Sequence, residues 1–254
     1  MKTNKVFRCI YSMVLVLFLA LGVALAVQLA MVSDAEEFYS RIAEPDCGHL
    51  GQKTDMTQSR VPADEKKKDE GLSQLSRRVA ALGKKYPEVV AWIRIPGTDL
   101  DYPVMLGEDN RFYLDHLPDG SKNSLGSLFL DVRCRKSSSN VIIYGHNASG
   151  GRMFGMLKRY EEQEFYSSHS SILLAVADAQ YRCRIFAVRR VEAGSDAYTM
   201  QFETGEAFAR YVRQAKSDAV CSTDLRYPDK ARILTLSTCT GWGNERLLVQ
   251  AFIW

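Results

Sequence analysis

ILTLSTCTGWGNERLLVQAFIW, residues 233–254, closes the chain as two apolar stretches around a turn-rich centre. In an extended strand alternate side chains face opposite ways, so Ile233, Thr235, Ser237 and Cys239 share one face. Leu234, Leu236 and Thr238 take the other. Gly241 and Gly243-Asn244 are turn formers, which lets the strand ending at Cys239 fold back on a strand starting at Arg246. The stretch therefore predicts a β-hairpin with a thiol and a guanidinium at the same rim. A cysteine that merely fills a core would sit more naturally with the leucines than on a face of hydroxyls.

Similar runs extend upstream. VVAWIRI (89–95) leads into Pro96-Gly97, and DLDYPVML (99–106), GSLFLDV (126–132) and NVIIYGHN (140–147) follow. SILLAVAD (171–178) and YRCRIFAVRRVEA (181–193) come next, before ARILTLSTC and RLLVQAFIW. Eight or so strands spaced by turn signals predict a mostly β fold, a closed or nearly closed barrel. Peripheral helices are expected near 153–169 and 205–218. Another is expected where Leu72, Leu75, Val79 and Leu82 recur at helical spacing, stopped by Gly83 and Pro87 and packed on the outside of the barrel.

The chain divides into a basic N-terminus (1–9), an uncharged apolar run (10–31), a polar stalk with one helix (32–85) and the β domain (86–254). The run's twenty-two uncharged residues in helical form reach about 33 Å, enough for a hydrocarbon core of roughly 30 Å. Lys2, Lys5 and Arg8 precede the run, whereas Asp34, Glu36 and Glu37 follow it. That asymmetry predicts a single-pass anchor with its N-terminus in the cytoplasm and the β domain outside the cell. The alternative is a signal peptide cut near Ala24-Leu25-Ala26, but the run exceeds a signal's usual apolar core of about 7–15 residues. With Lys+Arg 33 against Asp+Glu 30, net charge is only +3 and gives no support to a nucleic-acid partner.

Six cysteines, at 9, 47, 134, 183, 221 and 239, include no C-x-x-C pair. With Cys9 at the membrane face, five lie outside it, so at least one of those is left unpaired. Cys47-Gly48-His49 is the nearest approach to a metal-ligand pair, and no metal or other cofactor is expected. Of His49, His116, His146 and His169, only His146 ends a strand, in VIIYGHN, before a glycine-rich exit through Asn147, Gly150 and Gly151. His116 and His169 sit in polar, helical surroundings and read as surface residues. A free thiol ionises near pH 8.5, so a cysteine nucleophile needs a partner such as an imidazole. Acyl transfer also needs donors for the oxyanion, a task that suits the forked, permanently charged Arg246. Cys239, His146 and Arg246 are the candidate catalytic set.

TLSTC followed shortly by an arginine, with YGHN upstream, resembles the sortases, the membrane-anchored cysteine transpeptidases of Gram-positive bacteria. YPEVVAWIRIPGTDLDYPVMLGEDNRFYLDH, GSLFLDVR, VIIYGHNASGGRMFGMLKRY and the helix at 205–218 are similar to the class B branch. The resemblance implies an eight-stranded barrel with Cys239 as nucleophile, His146 as acid and base, and Arg246 at the oxyanion or the substrate backbone. It further implies substrate contacts at Asn110, Tyr144 and Ser237. The implied partners are secreted proteins bearing a C-terminal sorting signal and a peptidoglycan or pilin amine as acceptor. Asp131 reads as a strand-end carboxylate in a salt link, not a third catalytic member. No acidic cluster suggests the calcium used by some class A members. The competing readings are a secreted cysteine peptidase and a non-enzymatic, membrane-tethered binding barrel.

Overall fold

The computed structural model describes residues 2–43, 63–221, 223–226, 228, 231–241 and 243–253. Cys47 and His49 lie outside them. Eight strands close into a barrel: β1 (Val89–Arg94), β2 (Asp101–Met105), β3 (Leu128–Leu130), β4 (Asn140–Tyr144), β5 (Ser171–Ala175), β6 (Gln180–Glu192), β7 (Arg232–Cys239) and β8 (Glu245–Ile253). Their order around the barrel is β1-β2-β3-β4-β7-β8-β6-β5. Two neighbouring pairs, β2 with β3 and β4 with β7, run parallel; the others run antiparallel. Parallel pairing requires crossover connections, and these carry the irregular segments that build the site.

Alternation sorts side chains between the barrel interior and its outer face. Leu234 and Leu236 of β7 point inward to Ile143, Leu128, Val249 and Ala251, all close to fully buried. On the outer face Trp92 is also fully buried, because Leu75 and Val79 of helix α2 (Ala63–Lys85) cover it. This is the packing that the apolar repeat of that helix predicts. The second outer cover is helix α4 (Gly205–Ser217), capped by Thr204, whose hydroxyl accepts from the Ala207 amide at 3.1 Å. It sets Val212 and Ala215 against Ile233, Phe186 and Phe252. The 153–169 region forms a 3-10 turn (Gly155–Glu161) followed by the short α3 (Gln163–Ser168).

Helix α1 runs without a break from Lys2 to Ala43. Its apolar run is exposed (Phe18 is 69% exposed and Leu19 70%) and is long and apolar enough to cross a membrane. Beyond it, residues 32–43 differ from the polar stalk expected from sequence: the helix continues and docks on the barrel. Ala35, Phe38 and Tyr39 are buried, at the one-turn spacing of a single helix face. The Tyr39 hydroxyl donates to the Gly126 carbonyl at 2.8 Å, and Asn123 Nδ2 donates to the Met31 carbonyl at 2.6 Å. An Arg152–Glu36 ion pair completes the contact.

Candidate active site

The β7–β8 hairpin sets Cys239 directly opposite Arg246 in the antiparallel ladder. On the other side of β7 the parallel ladder pairs Tyr144 of β4 with Ser237. The Gly145 amide prolongs that ladder by donating to the Ser237 carbonyl at 3.2 Å. His146 follows two residues after Tyr144, beyond the end of β4, and lines the same cleft as Cys239 and Arg246. The thiol thus sits at a strand end, opposite Arg246 in the ladder and exposed to a cleft that His146 also lines.

Gly145 is what allows His146 this place. A β-carbon there would lie 2.3 Å from Leu128 Cδ2 and 2.7 Å from Phe154 Cδ2, so only glycine lets the chain pass over the barrel end. The His146 carbonyl accepts from the Phe154 amide at 2.9 Å, folding the glycine-rich exit back on the strand. His146 Nε2 lies 2.5 Å from the Leu114 carbonyl oxygen. A carbonyl only accepts, so this contact assigns the proton to Nε2 and leaves Nδ1 as the basic nitrogen.

All six candidate residues line one cleft of about 480 Å³: Asn110, Tyr144, His146, Ser237, Cys239 and Arg246. Cys239 is exposed in it, whereas Cys134, Cys183 and Cys221 are buried; all four are free thiols. Ser237 is almost fully buried, its Oγ 2.9 Å from the Tyr198 hydroxyl. Tyr144 donates to Asp131 Oδ2 at 2.9 Å. Asn110 Oδ1 accepts from the Val132 amide at 2.8 Å, so this side chain also shapes the turn after β3. Asp131 makes the expected salt link: Arg133 donates to both of its oxygens, at 3.0 and 2.7 Å. Burial pushes the Asp131 carboxyl up, but hydrogen bonds from Arg133, Tyr144 and Asn110 outweigh it and hold the pKa at about 2. His116 and His169 do not line the cleft; they stack on Phe112 and Phe165.

One wall of the cleft escaped sequence reasoning. It is the segment after β6, Ala193 to Thr199, which includes a 3-10 turn at Asp196–Tyr198. AGSDAYT has no period to announce it; the tyrosine just before a helix is its one signal. Tyr198 lies near-parallel to Tyr144, with ring centroids 6.3 Å apart. Burial raises its pKa, whereas the Ser237 hydrogen bond and the Arg246 charge pull the other way. Ser195 Oγ and Thr238 Oγ1 are buried and have no hydrogen-bond partner among the described residues.

Comparison with known proteins shows the family. A family model, the sortase domain, matches residues 93–253. Sortase B of Listeria monocytogenes is 35% identical over 66% of this chain and 71% of its own length. The chain belongs to the sortase family, in its class B branch. Sortase B of Staphylococcus aureus is 30% identical over 68% of this sortase and 73% of its own length. The solved Staphylococcus aureus sortase B–substrate complex superposes with a TM-score of 0.64 at 26% identity, covering 75% of this sortase and 98% of that chain. The barrel, whose strands run from Val89 to Ile253, is thus a sortase barrel, with α1 and α2 preceding it.

Proposed function

We propose that this sortase is a membrane-anchored cysteine transpeptidase. It would cut a C-terminal sorting signal of secreted proteins and pass the acyl group to a cell-wall or pilin amine. The observation that carries this reading is that Cys239, His146 and Arg246 line one cleft, with Cys239 directly opposite Arg246 in the β7–β8 ladder. A structure solved with substrate exists for a related sortase B, which supports a peptide in the corresponding cleft.

His146 Nδ1 takes the proton of the Cys239 thiol, and the thiolate attacks the scissile carbonyl carbon. The carbonyl π electrons move onto oxygen, and the Arg246 guanidinium stabilises that charge. Collapse expels the amine, which takes the proton back from His146 and leaves a thioester on Cys239. The acceptor amine then attacks the thioester and gives its proton to His146. Collapse of that intermediate releases the joined product, and the proton returns to Cys239. Asn110, Tyr144 and Ser237 hold the peptide alongside: Tyr144 with its ring, Asn110 and Ser237 with the turns they fix. The exposed run of α1 keeps the enzyme at the outer face of the membrane, where secreted chains emerge, with the N-terminus inside.

Residues 32–254 incubated with sorting-type peptides and a glycine-based amine should yield joined peptide, separable by chromatography. Cys239→Ala and His146→Ala should lower that yield by about a thousandfold or more. Cleavage with no joining at any acceptor concentration would assign a peptidase instead. No reaction with any peptide, despite a thiol probe reaching Cys239, would leave a binding barrel.

A further inference from the structure

The outer face of β7 carries Thr235, Ser237 and Cys239 at two-residue spacing, and the β6–β7 insertion reaches the first two with tyrosines, Ser237 directly and Thr235 through Gln250. Ser237 faces Tyr198, at 2.9 Å between hydroxyls. Thr235 belongs to a closed ring of buried polar groups beneath α4. Its Oγ1 donates to Asn140 Oδ1 at 2.8 Å and accepts from Gln250 Nε2 at 3.0 Å. Gln250 Nε2 also donates to the Tyr211 hydroxyl at 2.8 Å, and Asn140 Nδ2 approaches the same hydroxyl at 3.4 Å. Thr235, Asn140 and Gln250 are fully buried.

The ring points toward the active site. The Tyr211 hydroxyl gives its single proton to the Ala197 carbonyl, at 2.6 Å, and Ala197 lies inside the Asp196–Tyr198 turn. Asn140 grips the end of the same segment: Nδ2 donates to the Thr199 carbonyl at 3.0 Å and its amide to the Met200 carbonyl at 3.1 Å. Arg189 stacks over the Tyr211 ring at 5.3 Å and donates to Gln250 Oε1 at 2.9 Å, which fixes the tyrosine from behind. Buried polar groups are costly unless they are hydrogen-bonded, and the outward bonds of Tyr211 and Asn140 all go to the 197–200 segment beside the cleft.

We propose that Tyr211 is a positioning residue, whose hydroxyl holds the Asp196–Tyr198 turn against Ser237 and so sets the cleft wall that receives the peptide. It touches neither substrate nor Cys239 and acts through Tyr198. The proposal rests on the reading of this cleft as the peptide site. Tyr211→Phe keeps the ring over Arg189 and removes only the hydroxyl.

The test is a double-mutant cycle with Tyr198→Phe, read as peptide kcat/KM, together with hydrogen exchange at the Tyr198 and Thr199 amides. One buried hydrogen bond lost should lower kcat/KM about tenfold, mostly through KM. Alkylation of Cys239 by iodoacetamide should keep its wild-type rate. With Tyr198→Phe already present, the second change should cost less than about twofold, because the two act along one path. Exchange at Tyr198 and Thr199 should quicken in Tyr211→Phe. Equal fold losses in both backgrounds, or unaltered exchange at both amides, would overturn the proposal. The exchange result needs no turnover, so it still decides the matter if the wild-type protein joins no peptide.

Discussion

Cys239 differs from its fellow cysteines in surroundings, not in chemistry. Burial pushes the Cys183 thiol up to about 12 and raises Cys134 and Cys221 as well, whereas Cys239 opens to the cleft. Native protein treated with a small disulfide reagent should therefore be labelled at Cys239 and spared at Cys134, Cys183 and Cys221, as read by peptide mapping. Labelling of a buried site at a comparable rate would contradict this. Asp131 offers a pH test. Its folded pKa, about 2, lies below the ordinary 3.8, so it contributes stability above that ordinary value and loses it as pH falls toward 2. The difference corresponds to about 2 kcal/mol. Asp131→Asn should be less stable than wild type at neutral pH and show a flatter stability loss between pH 4 and 2, measured by thermal melting. The placement of Cys239 opposite Arg246 was legible because strand alternation and turn residues set that hairpin. Tyr198 and Tyr211 were not, since their roles depend on a fold-back of the insertion that no local pattern encodes.

At the scale of elements, the eight strands were legible because each is a short apolar run closed by turn residues. Their order was not, because the parallel β2–β3 and β4–β7 pairings are made by chain crossovers. The docked end of α1 was missed for another reason. Ala35, Phe38 and Tyr39 span barely more than one turn, interleaved with Asp34, Glu36 and Glu37, too brief for a periodic signal. Phe38 and Tyr39 bury enough to matter: at about 1.5 kcal/mol each, their loss would cost roughly 3 kcal/mol, or about 6–12 °C in Tm. A fragment beginning at residue 63 should melt lower than residues 32–254 by that amount in differential scanning calorimetry. Equal melting temperatures would show the docking to be energetically idle. Gly145 gives a sharper element-level test. Gly145→Ala drives a methyl into Leu128 and Phe154 at the end of β4 and should cost about 1–3 kcal/mol in denaturant unfolding, with joining activity impaired as His146 shifts.

The whole molecule places a strand-borne thiol at the end of a closed barrel and joins that barrel directly to an apolar helix. Helix α1 is continuous through Met31, where Asn123 reaches its backbone, to the docked turn at Tyr39. The barrel is therefore in direct contact with the end of α1, the helix that carries the apolar run. The central claim, that Cys239 carries the acyl group between donor peptide and acceptor amine, is tested most directly by intact mass spectrometry of residues 32–254. After mixing with a sorting-type peptide and no amine, the protein mass should rise by that of the acyl fragment, and the adduct should map to Cys239. Adding a glycine-based amine should discharge the adduct into joined product. An adduct at another residue, or joined product formed by Cys239→Ala at the wild-type rate, would contradict the account.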